Sequence, residues 1–273
     1  MPTDDIVLLG ATGQVGSELV GHEGVRPVTS AQLDLSNIKA IREFFADTRF
    51  NVIVNCAGFT NVDRAEVLRE ECFAVNTLAV EELVKLCDAK SAYFIHLSSD
   101  YVFDGFEGGY HEYSATNPLN FYGFSKAWSE RLVQLYPNSL VIRTAHIFGN
   151  RANIVRFFAD KVRRKQTVKI VKGSRVNITS AKDLARFIHF CIRERLTGIV
   201  NCANLGDLTW SELVEFLENR LDSKVEKQFI DSLPRPARRP LNSTLKLDRA
   251  KSLFHLDPWQ VSVDKYLSEY KYC

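Results

Sequence analysis

The sequence predicts an α/β fold in which a parallel sheet carries helices on both of its faces. Between Asp5 and Gly149, apolar runs of strand length alternate with segments of helical periodicity. This alternation is typical of a doubly wound parallel sheet, because each crossover between parallel strands usually contains a helix. A glycine-rich turn follows the first apolar run directly, and two hydroxyls, Ser98 and Ser99, follow the fourth. Both features belong at the carboxyl edge of such a sheet, where ligands bind.

Length and composition place the chain among globular proteins. Its 273 residues are 45% hydrophobic and 25% charged, which is sufficient for a full core. A formal net charge of +2 favours neither nucleic acid nor an anionic membrane as a partner. The longest apolar runs fall well short of the roughly 20 residues of a membrane span, and the acidic N-terminus is unlike a secretory signal. We therefore expect a cytoplasmic protein.

The cysteines are expected to be reduced thiols, mostly packed in the interior. None belongs to a Cys-x-x-Cys pair, and none has a histidine nearby at the spacing of metal ligands. The sequence therefore predicts no metal site. The residues concerned are Cys56, Cys72, Cys87, Cys191, Cys202 and Cys273.

The first predicted strand, Asp5–Leu9, leads into a turn with glycines at Gly10, Gly13 and Gly16. Glycines let the backbone turn sharply and approach a pyrophosphate, and the N–H groups of a following helix would face that anion. The usual dinucleotide pattern is Gly-x-Gly-x-x-Gly. This turn differs from it by one residue, so a plain strand–helix turn is the alternative. Its position directly after the first strand favours nucleotide binding.

The second predicted strand, Val25–Val28, indicates which nicotinamide cofactor the turn would bind. Sites that prefer NAD place an acidic residue at the end of this strand, where it holds the ribose 2′-hydroxyl. Here the strand ends in the neutral hydroxyls of Thr29 and Ser30, with Arg26 nearby. These groups would tolerate a 2′-phosphate. We therefore expect NADPH as the cofactor and leave NADH open.

The remaining elements follow the same rhythm as far as Gly149 and a looser one beyond it. Asn76 falls inside one predicted helix, where propensity disfavours it. Its amide is either satisfied in the core or holds a water or backbone group near the site. The further elements predicted are helices at Asn37–Thr48, Asp63–Ala89 (one or two), Tyr122–Tyr136, Ile154–Arg164, Ser180–Arg195 and Trp210–Leu221, and strands at Asn51–Asn55, Ala92–Leu97, Ser139–Arg143, Val168–Val171 and Gly198–Ala203.

Tyr122 and Lys126 lie four residues apart and would share one face of a helix. A protonated lysine beside a phenol favours the phenolate, so we expect a lowered pKa for Tyr122. Tyr122 would then be a general acid for a developing alkoxide, a role worth about 10²–10⁴ in rate. The pair alone is a weak motif, because Tyr-x-x-x-Lys arises by chance and such pairs are commonly solvated surface.

Several segments together resemble the dTDP-4-dehydrorhamnose reductase family of the extended short-chain dehydrogenases/reductases. They occur in the family's order over nearly the whole chain, and SSDYVFDG and RPLNS are much more specific than the glycine turn. The resemblance implies a larger, Rossmann-like lobe at 1–149, with a return at 179–203, that binds the cofactor. It implies a smaller lobe at 150–178 and 204–273 that binds a nucleotide-linked sugar. The segments are GATGQVG, NCAGFTNVDRAE, SSDYVFDG, YGFSKAWSE, RTAHIFG, SAKDLA and ARRPLNSTLKLDRAK.

The resemblance also implies roles for single residues in the reduction of a C4 keto group. Tyr122 would give the proton, Ser99 would hydrogen-bond the keto oxygen, and Lys126 would bind the nicotinamide ribose and lower the pKa of Tyr122. The residues implied for the sugar nucleotide are Ser99, Asp100, Tyr101, Tyr122, His146 and Arg239, the last facing the diphosphate. The residues implied for the cofactor are Gly10, Gly13, Gln14, Val15, Asp34, Leu35, Ala57, Gly58, Thr60, Asn76 and Lys126.

One departure from the family leaves the substrate open. His146 stands where the rhamnose enzymes often have tryptophan. The expected reaction is the reduction of a nucleotide-linked sugar of the dTDP- or UDP-4-dehydrorhamnose type. A reductase of a different nucleotide-linked keto sugar is one alternative. The other is a catalytically silent NADP-binding subunit similar to the beta subunit of methionine adenosyltransferase, which works by binding a partner enzyme. A homodimer is compatible with the sequence.

Overall fold

A computed structural model of the chain describes residues 5–269, and its centre is a parallel sheet of six strands. Their spatial order is β2-β1-β3-β4-β5-β9. Two short parallel pairs, β10 with β7 and β6 with β8, lie outside this sheet. The strands are β1 Ile6–Leu9, β2 Val25–Val28, β3 Val52–Asn55, β4 Tyr93–Ser99, β5 Ser139–Thr144, β6 Ile147–Phe148, β7 Val168–Val171, β8 Thr179–Ser180, β9 Gly198–Asn201 and β10 Lys227–Ile230.

The strand order places a crevice at one edge of the sheet. Strand β1 pairs in parallel with β2 on one side and with β3 on the other, so that Leu9 lies between Val28 and Asn55. The chain therefore reverses its direction of travel across the sheet at β1. Crevices outside the carboxyl ends of strands at such a reversal are the usual ligand sites of open α/β sheets. The predicted doubly wound parallel sheet is confirmed.

Helices connect the strands, and several begin at side-chain caps that the sequence contains. Asn120 accepts a hydrogen bond from the backbone N–H of Gly123 at the start of α6, and Thr209 with Glu212 forms the predicted capping box of α9. The helices are α1 Gly16–Leu19, α2 Ile38–Ala46, α3 Val62–Ala65, α4 Arg69–Phe73, α5 Ala79–Lys90, α6 Phe121–Gln134, α7 Ile154–Arg163, α8 Ala181–Glu194, α9 Trp210–Arg220, α10 Asp248–Leu253 and α11 Trp259–Glu269.

The sheet separates two buried apolar cores, one on each face. Along β1 the side chains alternate, with Ile6 and Leu8 in one core and Val7 and Leu9 in the other, as the two-residue period of a strand requires. A third core is formed mainly by α7, α9 and α11 with β7, around residues such as Phe158. Residues 245–256, late in the chain, pack with the first core. The proposed lobe boundaries at 149, 179 and 203 stay a prediction.

The structure differs from the predicted elements in several places. Strand β4 continues to Ser99, two residues beyond its predicted end, and β9 ends at Asn201, two residues before its predicted end. The predicted helical stretch Asp63–Ala89 consists of α3, α4, a π-helical turn at Ala74–Leu78 and α5. Elements β6, β8, β10, α10 and α11 were not predicted. The predicted strand Val168–Val171 has the predicted bounds.

The cysteines agree with the prediction of reduced, packed thiols in the part of the chain described. Cys72, Cys87, Cys191 and Cys202 are buried and Cys56 is half-buried, all as free thiols. Cys273 lies outside the described residues. Within residues 5–269, no helix is both long and apolar enough to cross a membrane.

Candidate active site

One cavity of about 1160 Å³ lies along the carboxyl edge of the sheet. It is larger than the roughly 300–1,000 Å³ typical of a site for one small molecule, so it has room for a cofactor and a substrate together. Most of the predicted site residues line it. They are Gly10, Gly13, Gln14, Val15, Asp34, Leu35, Ala57, Gly58, Thr60, Ser99, Asp100, Tyr101, Tyr122, Lys126 and His146.

The glycine turn after β1 forms one end of the cavity, and its glycines are required by the backbone. Gly10 has a φ of +77°, and a Cβ there would lie 2.6 Å from the backbone nitrogen of Ala57. A Cβ on Gly16 would lie 2.1 Å from the carbonyl oxygen of Gly10. The turn therefore packs tightly against the loop after β3. The helix that follows, α1, has only four residues, so we expect its dipole to add little to anion binding.

The other end of the cavity is formed by β4, α6 and the loop after β5. Tyr122 is the second residue of α6 and is 9% exposed. The Ser99 hydroxyl, at the end of β4, lies close enough to Tyr122 to favour its phenolate. Ser99 Oγ donates to the Asp100 carboxylate at 3.1 Å. The structure thus brings the two predicted donors together at the carboxyl edge of the sheet, where a keto oxygen could meet both.

The expected lowering of the Tyr122 pKa by Lys126 is wrong for the protein without ligands. Burial raises the pKa of Tyr122 to about 12, and the nearby Ser99 hydroxyl only partly opposes that rise. Lys126 Nζ instead donates to the carbonyl oxygen of Leu97 at 2.7 Å. Burial lowers the pKa of Lys126 to about 8, against the attraction of the Glu130 carboxylate. Burial therefore sets both pKa values, and the Tyr122–Lys126 attraction inferred from the spacing does not.

His146 lies at the junction between the sheet and α9. Its φ of +37° is unusual for a residue with a side chain. Its ring makes edge-to-face contacts with Tyr101, at 6.0 Å between centroids, and with Trp210 of α9, at 4.9 Å. Burial lowers the pKa of His146, and the nearby Asp100 carboxylate opposes the shift. The imidazole is thus held as a largely neutral ring on the wall of the cavity.

Two predicted site residues, Asn76 and Arg239, do not line the cavity. Asn76 is buried in the π-helical turn, where its Oδ1 accepts from the backbone N–H of Phe59 at 2.8 Å and its Nδ2 donates to the Phe59 carbonyl at 3.1 Å. It therefore holds the loop after β3 in place without lining the cavity. Arg239 forms an ion pair with Asp63 at 3.0 Å and stacks over Tyr101, 5.8 Å from the ring centre.

Some cavity residues were missed by the sequence analysis. The loop between β6 and α7 contributes Arg151 and Ala152, which no local pattern marked. Gln14 links that loop to the glycine turn after β1. Its Nε2 donates to the carbonyl oxygens of Ile147 at 3.1 Å and Ala152 at 3.5 Å. Other unpredicted lining residues include Thr12, Val62, Val75 and Asn150.

Comparisons with known proteins agree with this geometry. The family model described as the RmlD substrate binding domain matches residues 4–272. The chain is 30% identical to the dTDP-4-dehydrorhamnose reductase of Salmonella typhimurium, over 97% of each chain.

Two solved structures extend the comparison to the fold. A dTDP-4-dehydrorhamnose reductase of Clostridium acetobutylicum superposes with a TM-score of 0.90 at 27% identity, covering 96% of this chain and 98% of that one. A dTDP-4-dehydrorhamnose reductase of Bacillus anthracis, solved in complex with NADP, has the same fold, with a TM-score of 0.90 at 24% identity over 97% and 99% of the two chains. The family model and the Salmonella relative both span nearly the whole chain, and the chain therefore belongs to the dTDP-4-dehydrorhamnose reductase family.

Proposed function

We propose that this oxidoreductase uses NADPH to reduce the C4 keto group of a nucleotide-linked 4-keto-6-deoxy sugar, as in the conversion of dTDP- or UDP-4-dehydrorhamnose to rhamnose. The observation that carries the proposal is the meeting of Ser99 and Tyr122 in one cavity with the glycine turn and Lys126. The Salmonella relative, which is named dTDP-4-dehydrorhamnose reductase, supports the same reaction class.

Tyr122 gives the proton in the proposed reaction. Reduction of a ketone places negative charge on its oxygen, and a phenol with a raised pKa remains protonated at neutral pH, ready to donate. The Ser99 hydroxyl supplies a second hydrogen bond to the same oxygen. Two such donors in a site that excludes water are each typically worth a few kcal/mol of transition-state stabilisation.

The chain's own residues fit a nicotinamide dinucleotide. At Gly10 the turn packs so closely against the backbone of Ala57 that no side chain fits there, and both residues line the cavity. A Cβ on Gly58 would likewise lie 3.1 Å from Asn76 Oδ1 and 3.5 Å from Lys126 Nζ. When bound, the cofactor supplies the hydride. Lys126 would hold the nicotinamide ribose with its protonated amine.

The end of β2 supports NADPH over NADH. Thr29 and Ser30 line the cavity with neutral hydroxyls, which leave room for a 2′-phosphate. Asp34 lies beside them, and its pKa is lowered by hydrogen bonds from Ser36, so it is ionised. Its Oδ1 accepts hydrogen bonds from the backbone N–H and the hydroxyl of Ser36. Use of NADH remains part of the test.

The sugar nucleotide is proposed to bind between the sheet edge and α9. Asp100, Tyr101 and His146 surround the position where the keto oxygen would lie. Arg239 stacks on Tyr101 at the rim, and we infer that it turns from Asp63 toward the diphosphate. A forked guanidinium suits phosphate oxygens.

A turnover assay tests this function. Purified protein is given dTDP- or UDP-linked 4-keto-6-deoxyhexose with NADPH or NADH, and loss of the reduced nicotinamide is followed while the sugar product is identified by NMR. We expect turnover with NADPH. An established reductase that turns over the same substrate serves as the control. If the control is active while this protein binds NADPH without consuming it, the result contradicts the proposal and favours a catalytically silent subunit.

A further inference from the structure

The end of strand β4 is hydrogen-bonded to helix α6 at three successive residues. His96 Nε2 lies 3.0 Å from Ser129 Oγ, and the Leu97 carbonyl accepts from Lys126 Nζ at 2.7 Å. Ser98 Oγ donates to Glu130 Oε1 at 2.5 Å. The next residue, Ser99, lies close to Tyr122 in the cavity. The same strand end and helix face therefore carry every group proposed to act on the keto oxygen.

A buried ion pair joins the same helix, α6, to strand β5. Arg143 of β5 donates to Glu130 from Nε at 3.0 Å and from Nη2 at 2.7 Å. Both side chains are almost fully buried, at 3% and 2% exposure. Arg143 also donates to the Glu112 carbonyl at 3.0 Å and stacks over Phe103. Neither residue lines the cavity in the described part of the chain.

Stability alone is a poor reason for this pair. Removing two charges from water costs several kcal/mol per ion, and well-packed apolar residues of similar volume are often as stable. A buried pair is better suited to fixing one arrangement of the elements that carry it. Here Glu130 joins α6 to β5 through Arg143 and to β4 through Ser98, one helical turn from Lys126.

We propose that Glu130 and Arg143 are positioning residues. Together they lock α6 on β4 and β5 so that Tyr122 meets Ser99, and Glu130 alone places a negative charge near Lys126. The inference rests on the proposed function for its catalytic meaning. Its structural content, the setting of α6 and of the Lys126 charge, does not depend on which carbonyl is reduced.

The groups around Lys126 support the electrostatic half of this proposal. Glu130 lies one turn further along α6 and raises the pKa of the amine. The other titratable groups facing it are Cys56 after β3, Cys72 of α4 and His96 of β4, with Tyr122 on its own helix. Burial raises the thiol and phenol pKa values and lowers that of His96, so all four are neutral near pH 7. Among these neighbours Glu130 carries the negative charge.

The test compares the wild type with two variants. Glu130→Gln removes the charge with little change of shape but leaves Arg143 unpaired. Glu130→Leu with Arg143→Met replaces the pair by apolar groups and keeps the test valid if the first variant does not fold. The matched control removes a largely buried ion pair beside the third core, Glu218 of α9 with Lys227 of β10 at 2.8 Å, by Glu218→Leu with Lys227→Met.

Two measurements are made on each folded variant. NMR titration of ¹⁵Nζ-labelled lysines, assigned with Lys126→Arg, gives the midpoint of Lys126 without any need for turnover. We expect it to fall by about 1 pH unit in both Glu130 variants and to stay unchanged in the control. Because the charge of Lys126 acts in the free enzyme, kcat/KM for NADPH at pH 8 should then fall about fivefold more than at pH 6.

The outcomes separate the two proposals. Folded Glu130 variants with the wild-type midpoint and the wild-type pH profile overturn the positioning role. A shifted midpoint in a protein that reduces none of the keto sugars keeps the positioning role and contradicts the proposed function instead.

Discussion

The phenol of Tyr122 and the amine of Lys126 lie one helical turn apart, and burial shifts the pKa of each toward its neutral form. The spacing of the two residues was readable from the sequence, but the depth at which α6 places them was not. Desolvation acts on each group over its whole surface, whereas a charge–charge attraction needs the two groups to approach. The amine approaches Leu97 instead.

The pH profile of the enzyme should report the Lys126 amine. Its pKa is lowered to about 8, so its charge is present below that pH and lost above it. We expect kcat/KM for NADPH to fall above about pH 8, because this ratio reflects the free enzyme. In Lys126→Arg the cation persists past pH 12, so any residual activity should lack this fall. A wild-type profile that is flat to about pH 10 contradicts the assignment.

The turn at Gly10 should not tolerate even one methyl group. Gly10→Ala combines a left-handed φ with a Cβ 2.6 Å from the Ala57 backbone, so we expect at least a tenfold loss of NADPH affinity by fluorescence titration. Gly21→Ala is the matched control, since its φ is +90° but nothing lies within 4 Å of the new Cβ. Gly21→Ala should cost about 1 kcal/mol in the free energy of unfolding and leave NADPH affinity intact. Equal affinity losses in both variants would show that strain, not the close approach, matters.

At the scale of elements, the π-helical turn Ala74–Leu78 is the feature that local sequence patterns could not supply. It inserts one residue into the helical hydrogen-bond ladder, and no periodicity in the sequence marks it. The turn brings Asn76 beneath the loop after β3, where the amide satisfies both backbone groups of Phe59. The sequence left two interpretations of Asn76 open, a satisfied buried amide and a group that holds the backbone near the site. The structure shows that Asn76 does both.

Asn76 should therefore stabilise the cofactor loop without touching the keto oxygen. Asn76→Ala leaves the partly buried N–H and carbonyl of Phe59 without the Asn76 amide and should lower the free energy of unfolding in urea by about 1–3 kcal/mol. NADPH affinity should weaken as the loop loosens. Asn138→Ala, which removes an exposed bond to the Ser91 carbonyl, should do neither. An Asn76→Ala protein with wild-type stability and affinity would refute this role.

Two of the elements missed by the sequence analysis have too little local signal to be predicted. Strand β10, Lys227–Ile230, has only two apolar residues and no buried one, so its strand character comes from pairing with β7 rather than from its own pattern. Helix α10 has six residues, too few for a periodic signal. The central strands β1, β3, β4 and β5 were predictable because they are buried on both faces and read as nearly continuous apolar runs.

At the scale of the whole molecule, the site depends on how α9 meets the sheet. His146 follows β5, and its ring contacts Trp210 at the start of α9. The sequence indicated that His146 faces a substrate through a family resemblance, and the structure adds the aromatic contacts that hold it. Arg239 reaches the same region from far along the chain, which no local pattern could predict. The homodimer and the cytoplasmic location stay predictions.

His146 should discriminate between substrates without affecting the cofactor. His146→Phe keeps a ring between Tyr101 and Trp210 but removes its hydrogen-bonding nitrogens. We expect the KM for the keto sugar to rise about tenfold or more, as for one lost hydrogen bond of about 1.5 kcal/mol, with NADPH affinity unchanged. Steady-state kinetics with NADPH titration measure both. An unchanged KM would mean that His146 packs against its neighbours and does not contact the sugar.

Turnover of Tyr122→Phe, measured beside its NADPH affinity, tests the central claim most directly. The substitution removes one oxygen from a buried ring and leaves the cavity shape intact. If Tyr122 gives the proton, turnover of the keto sugar falls by about 10²–10⁴ while NADPH binds as in the wild type. Turnover within a few-fold of the wild type, in a protein that still binds NADPH, would contradict the account.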